Sequence, residues 1–581
     1  MPHFFRLYSC FIVWFCCSVG AFAQEATPYN ESGTRRAAQG DYAGAIADFT
    51  KAISLDSAYA TAYYNRANAK QDLKKLDEAI ADYNQALRLK PNYREAYNNR
   101  GIVYMALGRT TAAEADYRKA ISIDSTYTKA YFNLGDLMLS QKKYTQAIQL
   151  FDRNIRLDNT DAQAYFYKGL AQYKNNQFDE AIQNLTQSMV LKANNAEAYY
   201  YRASAKYAQG KTAAALEDYT TSIALNPTYA NAYYYRGQTY LAQKQQKEAL
   251  ADFTKAIEIN PNIDYFYLGR GKAQLATQKY TAAELDLSKA INLAENDSMM
   301  AYALRAEANM ALKKYTQAIT DATKAIDMGC QTEKIFWTRA DAYFELKKYT
   351  QAIADYTQAI KRNNQNPDTF YGRGYSKYQI SKYEEAISDF SQTIKLDPKY
   401  VDAYNYRGNS KHYLGDDDAA LKNYNQAITI NPKYPKAYSN RSIVQRSLFN
   451  DTKAALADCD KALELNPKLQ QAYINRAGIK ITMGDMKGAR SDFDKAIAAA
   501  PKYVESYHAR ANFLAAQQQY DAALADLITA INIDNQNGET FYLRGNIKQR
   551  KGDTTGACTD WKKAKSLGYN NADTQIKLNC K

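Results

Sequence analysis

The sequence predicts an all-α chain, a solenoid of about sixteen helical hairpins, and three observations predict it. The block AYYNRA at 62–67 recurs in related form about every 34 residues. Apolar residues follow helical spacing twice within each period, with a break between. Seven of the 11 prolines, Pro91, Pro227, Pro261, Pro398, Pro432, Pro467 and Pro501, fall at the same point of the period, where helix must stop.

The first residues stand apart. A start ending in Arg6 leads into an apolar run from Leu7 to Phe22, then Ala21, Phe22 and Ala23 before Gln24. That pattern predicts an export signal over 1–23, cleaved after Ala23; the run is short for a membrane span. Bulky Trp14 and Phe15 before Cys16 and Cys17 argue against lipid attachment. The expected location is outside the cytoplasm, periplasmic or at the cell surface, with no membrane span after cleavage. Loss of Arg6 lowers the net charge of +14 to about +13. Basic clusters such as Lys74 with Lys75 and Lys347 with Lys348 lie near acidic residues, which reads as a solvated helical face and not as a nucleic-acid tract.

The array is expected over 24–570. Its register is carried by Arg66, Arg100, Arg202, Arg236, Arg270, Arg305, Arg339, Arg373, Arg407, Arg441, Arg476, Arg510 and Arg544, with Ser32, Leu134 and Lys168 at the three remaining steps. Two intervals are of 35 residues, Arg270 to Arg305 and Arg441 to Arg476, with the extra residue expected in turns near 292–300 and 449–452. In the second repeat the first helix, A, is expected from Ala62 to Leu73 and the second, B, from Asp77 to Leu89, stopped by Pro91.

These units resemble the tetratricopeptide repeat family over nearly all of 24–570. The resemblance lies in an aromatic at repeat position 4, a small residue at 8, Ala at 20, an aromatic at 24, Ala at 27 and Pro at 32, seen as Tyr63, Ala67, Ala79, Tyr83, Ala86 and Pro91. It implies hairpins stacked in a right-handed superhelix whose A helices line a concave binding groove. The position 4 ring, Tyr or Phe throughout, is expected in the A/B interface by its spacing to position 8.

The chain departs from the family at position 7, where Arg replaces the usual Leu. Sixteen residues on stands Asp, as in Arg66 with Asp82, Arg236 with Asp252 and Arg339 with Asp355. Of the 13 Arg repeats, 12 carry that Asp, counting Asp458 beyond an insertion; Arg407 faces Asn423. Where Arg is absent charge tends to leave both places, Leu134 facing Leu150 and Lys168 facing Asn184, although Ser32 keeps Asp48. The paired loss points to a partly buried ion pair inside each hairpin that sets register; the competing reading is an Arg ladder gripping an anion.

No catalytic or cofactor motif is found. His412 and His508 are the only histidines beyond residue 23, and neither has nucleophile or metal-ligand spacing. The expected protein is not an enzyme and needs no cofactor or metal. Cys558 and Cys580 flank the end of the array and, in an oxidising compartment, could join and pin a capping helix at 571–581; two free thiols are the alternative. Cys330 and Cys459 read as buried small residues.

Position 5 of helix A is aromatic at Tyr64, Phe132, Phe166, Tyr200, Tyr234, Trp337, Tyr371 and Tyr542, and position 6 adds Tyr167, Tyr201, Tyr235 and Tyr406, with Asn65, Asn99, Asn133, Asn440 and Asn475 elsewhere. The resemblance places this face in the groove. The densest run, Phe166, Tyr167, Tyr200, Tyr201, Tyr234 and Tyr235, with Trp337 and Tyr371, is the expected ligand surface, unless these rings pack on neighbouring helices. Chaperone-tail binders of this family carry a position 5 lysine, absent here, so a clamp for acidic tails is not expected. The leading function is an exported scaffold binding a protein or extended peptide, with an envelope complex as its expected setting. The alternatives are a carbohydrate or cell-wall binder and a regulatory partner of an envelope enzyme.

Overall fold

The computed structural model describes residues 25–294, 298–449 and 451–580, so the expected signal at 1–23 lies outside the described residues. Within them the chain forms thirty-three α-helices and no strand. The first spans 25–38 and pairs with Tyr42–Leu55; next come Ala60–Asp72 with Leu76–Leu89, and so on to Gly538–Lys551 with Thr554–Ser566. These are the sixteen hairpins. Helix A begins two residues before its expected start, because Ala60 and Thr61 continue the helix behind the turn that Pro91 and its counterparts occupy.

By compactness the array is two units, one through Ala282 and one from Ala283, a boundary inside the helix Tyr280–Leu293. The 34-residue register runs through it, and the first 35-residue interval follows at once, from helix start Asp264 to helix start Met299.

In eleven of the sixteen hairpins position 24 carries a ring, and that ring does the packing. Tyr83, Tyr117, Phe151, Tyr219, Phe253 and Trp561 are at most 2% exposed. Each faces the small residue at position 8 of its own helix A. A Cβ on Gly101 would lie 2.6 Å from the Tyr117 ring, and one on Gly408 2.6 Å from Tyr424, so glycine there makes room for the knob. Burying such a ring contributes about 1.5–3 kcal/mol. The expected core role of position 4 is met only in part: Tyr63, Tyr97 and Tyr233 are half-buried, and the guanidinium three residues on lies over the ring, Arg66 5.5 Å from the Tyr63 centroid and Arg236 5.7 Å from Tyr233. The i, i+3 step on a helix puts ring and cation on one stripe, which explains the half-buried position.

The A-to-B turn needs one left-handed residue. Gly108 and Gly210 supply it freely, but Lys74, Lys142, Lys313 and Lys347 also adopt it, with φ between 57° and 62°.

The last helix, Ala572–Asn579, starts 34 residues after Gly538, in the register of a seventeenth helix A. Ala572 is buried and Ile576 packs with Phe541 and Trp561. Cys558 and Cys580 are joined, as the sequence allowed, fixing this helix over the sixteenth hairpin. Cys330 and Cys459 are buried free thiols. Among the described residues no helix is long and apolar enough to cross a membrane.

Candidate functional site

The position 7 arginine proves to be a bracket among three helices. Nε and Nη2 of Arg66 donate to both carboxylate oxygens of Asp82 at 2.8 and 2.7 Å, and Nη1 donates to Thr50 Oγ1 on the preceding helix B at 3.1 Å. Arg236 does the same with Asp252 and Thr220, and Arg339 with Asp355 and Thr323. The ion pair is thus inside the hairpin, as the paired loss of charge indicated. Where a polar residue stands sixteen residues upstream, as it does not at Ile528 before Arg544, the arginine also stitches its hairpin to the one before.

Two exceptions sharpen this. Lys168 does not turn to Asn184; its shorter amine bonds Asp152 on the preceding helix B at 2.8 Å, and Asn184 bonds Gln172. Arg407 bonds the neutral Asn423 at 2.8 Å, and burial without a carboxylate lowers the Arg407 pKa. For Arg236 burial also pulls downward, but the bonds to Asp252 outweigh it and hold the guanidinium above its ordinary value. One cation does not offset the burial of Asp252, whose carboxyl is raised; at Asp492 burial is outweighed by Arg476 and Lys480 together, and the carboxyl is lowered. These arginines are consumed by the frame.

The aromatic run at positions 5 and 6 is largely consumed as well. Phe166 is 6% and Tyr200 8% exposed. Tyr200 packs on Tyr219 of its own hairpin and on Tyr229 and Tyr235 of the next, with centroids 5.0–6.0 Å apart. Tyr234 sits against Phe253 and Phe266, Trp337 against the Phe336 and Tyr356 clusters, and Tyr371 against Phe390 and Tyr400. Tyr167 and Tyr201 are half-buried, and Tyr235 is exposed. Beside Phe166 and Tyr167 only about 140 Å³ of cavity is left. A large ring at position 5 fills the space between successive A helices.

Where position 5 shrinks, that space opens. In the C-terminal unit the residue is Asn405, then Ser439, and a cavity of about 540 Å³ lies there. Asn440 donates to Asn405 Oδ1 at 3.0 Å and to Asn409 Oδ1 at 2.9 Å, while Asn475 donates to Ser439 Oγ at 3.0 Å. Tyr406 forms a wall with Tyr375 and Tyr378, at 4.7 and 5.6 Å between centroids, and Lys436 Nζ stands 6.0 Å from its ring. Tyr413, 60% exposed, stacks flat on Tyr383 at 4.9 Å. Burial raises the pKa of Tyr406 and Tyr378, so these phenols are neutral donors at physiological pH. In the N-terminal unit a cavity of about 370 Å³ opens where position 5 is Asn98. Asn405, Asn409, Tyr375, Tyr378 and Ser439 were not singled out by sequence reading; the signal that could have found them is the break in the aromatic series at position 5.

Such walls of amides and neutral phenols can hold a chain of alternating donors and acceptors. They offer no metal site: among the described residues no group of three His, Cys, Asp or Glu side chains could hold an ion.

The repeat is also recognised by sequence comparison. The TPR repeat model matches 33–74, 71–108, 203–244, 340–381, 374–415 and 408–445, and further tetratricopeptide repeat models match 95–127, 116–149, 166–219, 230–263, 470–503 and 493–525, together well over half of the chain. The chain belongs to the tetratricopeptide repeat family. A search of curated proteins finds no match. Among solved structures this tetratricopeptide repeat protein is similar to the APC/C hetero-tetramer Cut9-Hcn1, at 14% identity over 84% of this chain and 97% of that one, TM-score 0.36. A tetratricopeptide repeat protein from Parabacteroides merdae is 22% identical over 43% and 99%, TM-score 0.34, and yeast Tom70 is 18% identical over 79% and 96%, TM-score 0.31.

Proposed function

We propose that the chain is an exported scaffold without catalytic chemistry, which binds an extended segment of a partner protein on its A-helix face at the Asn405–Ser439 cavity. The observation that carries this reading is the opening of that cavity where Asn and Ser replace the position 5 ring, bordered by Tyr406 and the Asn440 amide. Asn440 spends its N–H groups on Asn405 and Asn409, which leaves its own Oδ1 and the amide N–H groups of Asn405 for a ligand, while the Asn409 amide also faces the Tyr378 phenol. Acceptors beside donors match peptide units, and a volume of about 540 Å³ is in the range of ligand sites. Export is supported by the residues at 1–23. The reading without catalysis is supported by the burial of His508, whose Nε2 meets Thr540 Oγ1 at 2.8 Å, and by the hold of Asn475 on Ser439 Oγ.

The test is cross-linking capture from the envelope of the producing cell with the full chain, with Asn440→Ala and with Asn405→Tyr, which restores the ring that repeats such as that of Tyr371 carry. A protein partner lost with both substitutions supports the reading. A partner retained by both, or binding to a glycan array lost with both, refutes it.

A further inference from the structure

We propose that the N-terminal unit carries a second site of the same kind, so that one chain holds two extended peptide segments; this rests on the reading of the Asn405 cavity as a peptide site. The bond that frames that cavity recurs twice in the N-terminal unit, between Asn65 and Asn30 at 3.0 Å and, nine repeats before Asn440, between Asn133 and Asn98, where it borders a cavity. Asn133 donates to Asn98 Oδ1 at 2.9 Å, position 6 to position 5 of the preceding repeat, as Asn440 does to Asn405 at 3.0 Å. Asn98 is 2% and Asn405 1% exposed, so both ladders are fixed from within. Each borders a cavity, about 370 Å³ in one unit and about 540 Å³ in the other.

An independent observation points to a ligand in the N-terminal cavity. Asn154, 1% exposed, lines it, and its Oδ1 accepts no hydrogen bond. Its Nδ2 donates to Thr128 O at 3.3 Å, closing the start of helix A. In the next two repeats Ser188 and Ser222 make that closure with a hydroxyl, to Ala162 O at 2.8 Å and Ala196 O at 2.7 Å, and carry no amide carbonyl. Asn154 therefore adds a carbonyl that the fold does not use, and a buried acceptor left unmet is costly. A main-chain N–H of an extended segment meets it, and the segment's side chains lie on Phe132 and Ile102, with Lys129 and Asp161 in the same lining. The Asn98 amide donates to Asn99 Oδ1 at 3.1 Å, so this site meets a peptide through acceptors where the Asn405 site also offers amide N–H groups, and the chain is bivalent for extended peptides of two classes.

The probe is a random dodecapeptide library displayed on phage and selected on the full chain; recovered peptides are synthesised and titrated by calorimetry. Two peptides per chain are expected. Asn440→Ala should reduce this to one, and Asn154→Ser, which keeps the closure used at Ser188, should weaken the other class at least tenfold with unchanged helicity. One peptide per chain, lost with Asn440→Ala and indifferent to Asn154→Ser, overturns the second site and leaves the first. Recovery of no peptide, peptides indifferent to Asn440→Ala, or binding of cellohexaose or chitohexaose in their place overturns the peptide reading and the second site with it.

Discussion

Asp341 is a charge in a place where three other repeats use a neutral amide, and its replacement by Asn should stabilise the protein at neutral pH. It stands at position 9 and accepts a hydrogen bond from the buried Tyr356 hydroxyl. In other repeats that acceptor is Asn68 for Tyr83 at 2.6 Å, Asn409 for Tyr424 at 2.9 Å and Asn546 for the Trp561 indole at 3.0 Å. Burial, aided by the negative charges of Glu345 and Asp368 and opposed by the Tyr356 bond, raises the Asp341 pKa from 3.8 to about 6. Because the folded value lies above the unfolded one, the folded chain binds the extra proton between these pH values. Its contribution is complete below about pH 4 and is lost as pH rises through about 6. A shift of about two units corresponds to at most about 3 kcal/mol. Asp341→Asn keeps the acceptor and escapes the loss, so the variant should gain up to about 3 kcal/mol at pH 7 to 8 and nothing at pH 3.5. Repeat arrays open locally, so the assay is hydrogen exchange of Glu333–Glu345 and Tyr349–Arg362 across that pH range, supported by urea melts. A variant no more stable than the parent at pH 8, or a gain that does not shrink toward pH 4, would refute the reasoning.

Arg236→Ala and Asp252→Ala should show a coupling of about 1–3 kcal/mol in a double-mutant cycle, read by urea unfolding; additive effects would remove the bracket from the account. Lys347, with φ 57°, should gain about 1 kcal/mol on replacement by Gly in thermal melts, since the left-handed conformation is strained for a side chain with Cβ. Cys580→Ser should loosen Ala572–Asn579 and the sixteenth hairpin by about 3 kcal/mol in hydrogen exchange, leaving distant repeats unchanged. Burial depresses the His508 pKa to about 4, so its contribution is whole above about pH 6.5 and falls by roughly 3 kcal/mol as pH drops to 4; His508→Gln should flatten that part of the pH profile.

The hairpin register, the Ala and Pro punctuation and the Arg/Asp pairs were legible because sixteen copies in one chain act as their own comparison. The second arm of the bracket was not. Its acceptor, Thr50 for Arg66, Asn84 for Arg100 and Asp460 for Arg476, changes chemistry from repeat to repeat and lies sixteen residues upstream, so no single residue type marks it. The same blind spot hid the pairing of Lys168 with Asp152. A helical wheel gave the direction of position 5 but not what the next repeat puts opposite it. Tyr200 therefore looked like groove surface, although Tyr229 and Tyr235 cover it.

The departures from the frame and the openings in the face fall together. Arg407 has Asn423 in place of Asp, and Arg441 reaches Asp458 across an inserted residue; these are the repeats of Asn405 and Ser439, around the larger cavity. Leu134 and Lys168 replace the bracket in the repeats that supply Phe132, Asn154 and Gln163 to the smaller one. A frame that binds three helices through one guanidinium has stability to lose, and a local break with no packing gain is expected where a sequence serves something other than folding. Rings at position 5 belong to the rule. Asn405, which interrupts them in a repeat where the bracket is also altered, marks the face on which partners should be sought first.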